Sequence, residues 1–295
     1  MRGLLILNAY SKLQANLNKA KRLKDEFNFL GVNIDILTTL DLNLSFTNNR
    51  ISSNLPLKNY DFGIYLDKDE IIASMLEQFF PLFNSSKALI NCNDKIKTYL
   101  ALVNHDIPLI KTIPSPLCYS KDLESNKTED FFNYLESEFS YPFIVKCNYG
   151  SLGLQVYLVK NREELQKKYH ELIHIPHFFQ EYIESSKGTD YRLYTVNSKV
   201  VAYMKRTNTK DFRSNIALGG IGLYLKPNDE FIKVAEKVSS LLSLDYAGID
   251  LLIDKNNHPI LTEVNSNAFF NELEKISGEN IAQMIAKYVI NKVRK

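Results

Sequence analysis

Asp250, Glu263 and Asn265 are the residues whose types and spacing most directly imply chemistry. They lie in Gly248-Ile249-Asp250-Leu251-Leu252 and Leu261-Thr262-Glu263-Val264-Asn265, two apolar segments joined by a short turn at Asn256-Asn257. Side chains alternate between faces along a strand, so a hairpin can place both acids and the amide on one face. Hard oxygen donors of this kind suit Mg²⁺, which keeps several waters and takes further ligands from phosphate oxygens. A hairpin carrying three solvated polar residues has the same pattern, and the residues upstream decide between the two.

In Pro142-Phe143-Ile144-Val145-Lys146 an apolar strand ends on a lysine. The small-residue loop Tyr149-Gly150-Ser151-Leu152-Gly153 follows, before a second strand from Gln155 to Val159. Lysine is a compact charge suited to phosphate oxygens, and glycine lets backbone N–H groups approach an anion closely. Further on, Asp211-Phe212-Arg213-Ser214-Asn215 precedes Gly219-Gly220 in a long loop from Thr207 to Leu223. The chain has only 11 glycines, so the grouping of 150, 153, 219, 220 and 222 in two loops is pointed. A plain strand connection would account for the Gly150 loop alone; the combination with the acidic hairpin predicts a nucleotide site.

From Asn91 to about Lys292 the order of these motifs resembles the ATP-grasp superfamily. The strings DFRSN, GG, AGIDLL and EVN, in that order, are most similar to RimK-type carboxylate–amine ligases. The resemblance implies an α/β protein with the ATP-grasp fold, two α+β lobes clamping ATP, preceded by a small open parallel α/β domain. The implied division is 1–91 and 92–295, the latter with lobes 92–183 and 184–295. It further implies that Lys95 and Lys146 hold the ATP phosphates and that Gln180-Glu181-Tyr182-Ile183 is the hinge receiving adenine. An acid at Asp190 would take the ribose hydroxyls. Arg206, Arg213 and Asn215 would face the γ-phosphate and an acyl-phosphate intermediate. Asp250, Glu263 and Asn265 would hold Mg²⁺, or Mn²⁺ in its place. The implied reaction is ADP-forming: a carboxylate is activated as acyl phosphate and attacked by the amine of an amino acid or small peptide. An ATP-binding module of the same fold without turnover is the other reading, and retention of all three metal-ligand positions favours the enzyme.

One segment departs from the family pattern. RimK-type enzymes usually follow EVN with Ala-Ser-Pro-Gly, whereas this chain reads Ser266-Asn267-Ala268-Phe269-Phe270. Aromatic rings beside a metal ligand either pack into the core or shape the acceptor's pocket.

Composition sets the outer bounds. A chain of 295 residues with 45% hydrophobic content can bury a large core divided into two or three lobes. A net charge of +2, from 36 basic and 34 acidic residues, exerts no overall pull toward nucleic acid or membrane. The Leu4–Leu7 run is too short for a signal peptide, and a cytoplasmic protein acting on small carboxylates and amines is expected, with homo-oligomerisation left open. Cys92, Cys118 and Cys147 have no CxxC spacing and read as small core residues, with Cys147 beside Lys146 a place where a thiol pKa could be lowered.

Elements to position these residues can be read along the chain. Leu4–Leu7, a helix carrying Leu13, Leu17, Ala20, Phe27 and Leu30 up to Gly31, and the alternating Val32–Ile36 predict a β-α-β unit. A strand at Phe62–Leu66, a helix near Glu70–Phe80 and a short strand near Leu82–Phe83 extend it into an open parallel sheet. Asn93 or Asp94 starts a helix through His105, Lys121–Asp130 is a solvated insertion, and a helix follows to Phe139. A hairpin across Asn197-Ser198, a helix near Asp229–Leu242 and a final helix carrying Ile281, Ile285, Tyr288 and Val289 complete the chain. A competing motif, His170-Glu171-Leu172-Ile173-His174, fits the HExxH zinc signature with His177 nearby. Against it, Pro176 disfavours a helical Ile175, which ends the helix almost at the second histidine.

Overall fold

The computed structural model describes residues 1–11, 14–120 and 127–295; Leu13 and the stretch 121–126 of the expected insertion lie outside the described residues. Strand β1 (Arg2–Leu7), helix α1 (Gln14–Phe29) and strand β2 (Asn33–Thr38) form the expected β-α-β unit, with Gly31 at φ +78° turning the chain after the helix. A small antiparallel ribbon, β3 (Ser45–Thr47) and β4 (Arg50–Ser52), precedes β5 (Phe62–Leu66), which completes a parallel sheet of order β2-β1-β5.

The connection that follows differs from expectation at four points. Helix α2 (Glu70–Leu76), capped by Asp69, is shorter than predicted, because Pro81 disfavours helical backbone at Phe80 and the turn loosens before it. The strand near Leu82–Phe83 reduces to a single parallel bridge between Gly63 and Leu82, since Asn84 turns away to bond Asp245 and Tyr246. Helix α3 (Ser86–Asn93) was not legible, because only Ala88, Leu89 and Cys92 are buried among polar residues. Helix α4 (Lys95–Leu102) starts on Asp94 as expected, but Val103 is extended and Asn104 left-handed (φ +65°), so it stops short of His105.

The next layer is an antiparallel sheet built from β6 (Thr112–Pro114), β7 (Phe143–Cys147), β8 (Val156–Val159) and β9 (His177–Gln180), in the order β6-β9-β7-β8. Helices α5 (Thr128–Glu138) and α6 (Arg162–Leu172) cover it, burying Phe132, Leu135, Leu165 and Tyr169 against Phe143, Val145 and Phe179. Helix α6 is capped by the Asn161 side chain, which accepts from Glu164 N at 2.9 Å.

The largest sheet follows: β10 (Thr189–Val196), β11 (Lys199–Thr207), β12 (Ile221–Leu223), β13 (Tyr246–Ile253) and β14 (Pro259–Asn265), antiparallel in the order β12-β11-β10-β13-β14. Asn197 and Ser198 both take positive φ (51° and 56°), the geometry that matches the twist of a two-residue hairpin. Helix α7 (Asp229–Leu241) buries Phe231, Ala235 and Val238 with Leu193, Ile249 and Leu251 on one face of the sheet. Helices α8 (Asn271–Ser277) and α9 (Ile281–Val293) lie toward the other face. There Ile281, Ile285 and Val289 share a core with Tyr194, Tyr246 and Phe270 and also with Phe27 and Phe62 of the first unit. The first and last parts of the chain are therefore packed as one body, and the rest of that second face is left to polar residues.

Candidate active site

Register decides which side chains share that open face. Asp250 stands opposite Glu263, and Gly248 opposite Asn265, so the two acids and the amide do line one face of the β13–β14 hairpin. On β10, Arg192 stands opposite Asp250, and Asp190 opposite Arg206 of β11, which extends the face by three more charged residues. A register shift after Asp250 brings Thr262 into the same region, where its hydroxyl accepts from Lys146 Nζ at 3.2 Å.

The charges on this face are closely paired. Arg192 donates from Nε and Nη2 to the two oxygens of Asp250 at 2.7 and 2.6 Å, and Arg206 Nη2 reaches Asp250 Oδ2 at 3.0 Å. Arg206 also grips Asp190, through Nε at 2.7 Å and through Nη2. Burial opposes ionisation of Asp250, yet Arg192 and Arg206 outweigh it and hold its pKa below the ordinary carboxylate range. Burial likewise works against the charge on Arg206, and Asp190 and Asp250 more than offset it, raising its pKa.

The opposite wall comes from the smaller antiparallel sheet. Lys146 on β7 donates to Gln180 Oε1 at 2.8 Å and is pushed down to about 8, by burial first and by Lys95, against the pull of Glu263 and Asp250. Lys95, the first residue of α4, donates to the Gly150 carbonyl at 3.2 Å and pairs with Glu263 at 3.4 Å. Gly153 is left-handed (φ +75°), and a Cβ there would fall 2.6 Å from Asn215 Oδ1, so only glycine lets the two loops meet. Arg213 ties them together: it is bidentate to Asp211 and donates from Nη1 to the Gly153 carbonyl at 2.7 Å.

Between these walls lies a cavity lined by Lys146, Glu181, Tyr182, Ile183, Arg206 and Asp250, among others. All the residues assigned in the sequence analysis to the nucleotide, the transferring phosphate or the metal border it except Asn265, which borders a second cavity of about 600 Å³. Asp190 reaches the wall, but is 5% exposed with both oxygens on Arg206. The second cavity runs between the end of β1, the start of α1 and the residues that follow β14. Phe269 lines it, whereas Phe270 is fully buried, edge-on to Tyr194 at 6.0 Å. Phe270 thus packs into the core, while Phe269 borders a cavity.

The donor set fits a hard divalent ion. A carboxylate has about four lone-pair sites, and three on Asp250 accept from arginine, which leaves one on Oδ1. The Asn265 amide holds one buried polar atom without a partner among the described residues, and turning the amide over can present its oxygen there. Among the described residues Glu263 is held by Lys95 alone.

Two possibilities raised by the sequence are set aside by the geometry. Among the described residues no group of three or more His, Cys, Asp or Glu is arranged to hold a metal, and the disfavoured HExxH reading finds no support. Helix α6 ends at Leu172, His174 Nδ1 donates to the Cys118 carbonyl at 3.0 Å, and the ring of His177 is buried with Nδ1 on the Ile175 carbonyl at 2.7 Å. The thiol of Cys147 is raised rather than lowered: burial outweighs Lys95 and Lys168. The residue that sequence reasoning missed is Arg192. Its position two residues after Asp190 on one strand was the available signal, since period two places both on one face.

Comparison with known proteins places this geometry in context. The model of a family described as "RimK-like ATP-grasp domain" matches residues 92–289. An uncharacterised protein of Mycoplasma pneumoniae is 32% identical, over 94% of this chain and 96% of that protein. Beta-citrylglutamate synthase B of Mus musculus is 31% identical, over 92% of this chain and 70% of that protein. D-alanine–D-alanine ligase of Bacillus anthracis, solved with ATP, superposes with a TM-score of 0.73 at 17% identity, covering 100% of this chain and 97% of that one, a likeness of fold.

Proposed function

The chain belongs to the RimK-like ATP-grasp family, and from that premise we propose that it is an ADP-forming ligase joining a carboxylate to the amine of an amino acid or small peptide. The nucleotide occupies the first cavity, with adenine against Glu181, Tyr182 and Ile183, ribose toward Asp190, and phosphates between Lys95, Lys146 and the loop of Gly150, Ser151 and Gly153. The acceptor occupies the second cavity. One observation carries this reading: the two cavities meet, and Lys95, Gly150, Ser151, Arg206, Asn215 and Glu263 border both. A γ-phosphoryl group entering from one side and a carboxylate from the other would come together among those residues.

The chemistry follows from the poor electrophilicity of a carboxylate. Its oxygen attacks the γ-phosphorus, the bond to the β-phosphate oxygen breaks, and ADP leaves. The amine then attacks the acyl carbon of the acyl phosphate, loses a proton, and expels phosphate to leave an amide. Little covalent work falls to the protein; positioning and neutralisation of charge dominate. Arg206, Arg213 and Asn215 would hold the transferring group, while Lys146 is oriented by Gln180 and Thr262. Mg²⁺ or Mn²⁺ on Asp250, Glu263 and Asn265 would offset phosphate charge when bound.

In the same reading, residues 1–91 form the acceptor-side domain and lobes 92–183 and 184–295 clamp the nucleotide. No helix among the described residues is long and apolar enough to cross a membrane, and the cytoplasm is the compartment proposed. The name of the mouse relative makes L-glutamate and citrate the first compounds to try. The test is ADP release with Mg²⁺–ATP across a panel of amino acids, dipeptides and small carboxylic acids, with mass detection of the amide product. Glu263→Gln, close in volume, should keep the fold and abolish metal-dependent ADP formation. Nucleotide that fails to bind at about millimolar concentration, near −4 kcal/mol, would remove the reading.

A further inference from the structure

Lys19 has no part in the chemistry above, yet it is the most unusual charged residue of the molecule. It belongs to α1, in the first unit, is 1% exposed, and has no acidic partner among the described residues. Its ammonium sits 5.8 Å from the ring centroids of both Tyr246 and Phe270, and its one hydrogen bond among the described residues, at 2.5 Å, goes to Oδ1 of Asn267. Asn267 lines the second cavity, in the segment where the sequence departs from the family pattern.

As an ammonium, the form that prevails below its lowered pKa of about 7, Lys19 carries donors and no acceptor, so it binds the oxygen of the amide and leaves the amide nitrogen to face elsewhere. Here the other direction is the cavity. We propose that Lys19 is a positioning residue that turns the Asn267 side chain so that its NH₂ group points into the second cavity, where it binds a carboxylate of the acceptor-side substrate. The Phe270 ring is part of the mount: with Tyr246 it holds the lysine under the loop.

The charges around the cavity favour an anion. Its three acids are already engaged: Asp67 by Asn8, Tyr65 and the backbone of Lys68, Glu263 by Lys95 at 3.4 Å, and Glu272 by Lys275 at 3.5 Å. Lys68, also on the wall, has no ion pair among the described residues. A ligand entering therefore meets the Lys68 cation, which Glu263 and Asp67 attract without forming an ion pair, and an amide donor backed by a buried ammonium. This inference rests on the assignment of the acceptor to the second cavity.

Calorimetry on the whole chain at pH 6 with Mg²⁺ and a nonhydrolysable ATP analogue provides the test, with L-glutamate as the carboxylate probe and L-glutamine amide, which lacks both carboxylates, as its carboxylate-free counterpart. L-glutamate should bind and the carboxylate-free compound should not. Asn267→Asp, which keeps a partner for Lys19 but turns an anionic oxygen to the cavity, should weaken L-glutamate about tenfold or more and leave the analogue's affinity unchanged. Lys19→Met should weaken it several-fold, and the double variant Lys19→Met/Asn267→Ala should be no weaker than Asn267→Ala alone, because one residue acts through the other. L-glutamate that does not bind the wild type, or that binds Asn267→Asp and Asn267→Ala as tightly, overturns the proposal. So does a Lys19→Met variant that loses stability but not L-glutamate affinity. Loss of nucleotide-analogue binding by the wild type would instead count against the nucleotide site, which this experiment reads separately.

Discussion

Arg192 and Asp250 face each other across adjacent strands, two guanidinium donors on two carboxylate oxygens at 2.7 and 2.6 Å, with Asp250 2% exposed. The pair holds ionised, in a buried position, a carboxylate on the wall of the first cavity, while Arg192 itself borders the second. Arg206, bridging Asp250 and Asp190, extends the pairing to the next strand.

Removing one partner of such a pair strands the other charge. Arg192→Met should lower stability to urea by about 3 kcal/mol, the low end of the range for a broken buried pair because Arg206 still contacts Asp250. Arg192→Lys keeps the charge but not the fork, and should fall between the two. A loss under about 0.5 kcal/mol in Arg192→Met would show the pair to be energetically idle.

Lys19 should leave a signature in the pH dependence of stability. Burial lowers its pKa to about 7, below that of an unfolded lysine. Between those values the unfolded chain binds a proton that the folded chain does not, so stability rises with pH through that window; below it, both states are charged and the burial penalty is felt in full. From pH 7 to pH 9 the wild type should gain about 2 kcal/mol relative to Lys19→Met, read as the difference between their urea midpoints multiplied by the slope. A constant difference across that range would place the lysine in a wetter setting.

Asn84 is a buried link between the segment before α3 and the ends of the β13–β14 hairpin. Its amide donates to the Tyr246 and Ser266 carbonyls, both at 2.9 Å, and its oxygen accepts from Asp245 N at 2.6 Å. Asn84→Ala leaves several buried groups without partners and should cost about 2–4 kcal/mol, each orphan contributing roughly 1–3. Thermal melting measures this directly, and an unchanged midpoint would mean that water replaces the amide.

Phe269 and Phe270 should separate in their effects. Phe270→Ala empties a fully buried site and should destabilise by about 3–5 kcal/mol. Phe269→Gly should leave nucleotide affinity alone and shift the ranking of amine acceptors, because this ring faces the second cavity. Altered nucleotide affinity with an unchanged ranking would contradict the assignment.

The sequence by itself determined what depends on local period and short-range order. The period of two along Gly248–Leu252 and Leu261–Asn265 was enough to suggest Asp250, Glu263 and Asn265 on one face, and the β-α-β start and the cap at Asp94 were readable from apolar spacing and side-chain chemistry. Motif order was enough for the family, because glycines, lysines and carboxylates at those intervals are rarely required by packing alone. Tertiary structure decided everything that joins distant residues. No period links Lys19 to Asn267, which are 248 positions apart, or tells whether Phe269 or Phe270 enters the core. Strand order put Arg192 opposite Asp250, and the proximity of an aspartate and an arginine 58 positions apart is fixed only when the sheet closes. Helix α3 shows the same limit at short range: its buried stripe is three residues wide, and it is helical because Ser85 caps it and the packed surfaces on either side reward that face. Local propensity writes the elements, whereas the pairing of charges and the meeting of two cavities are properties of their packing.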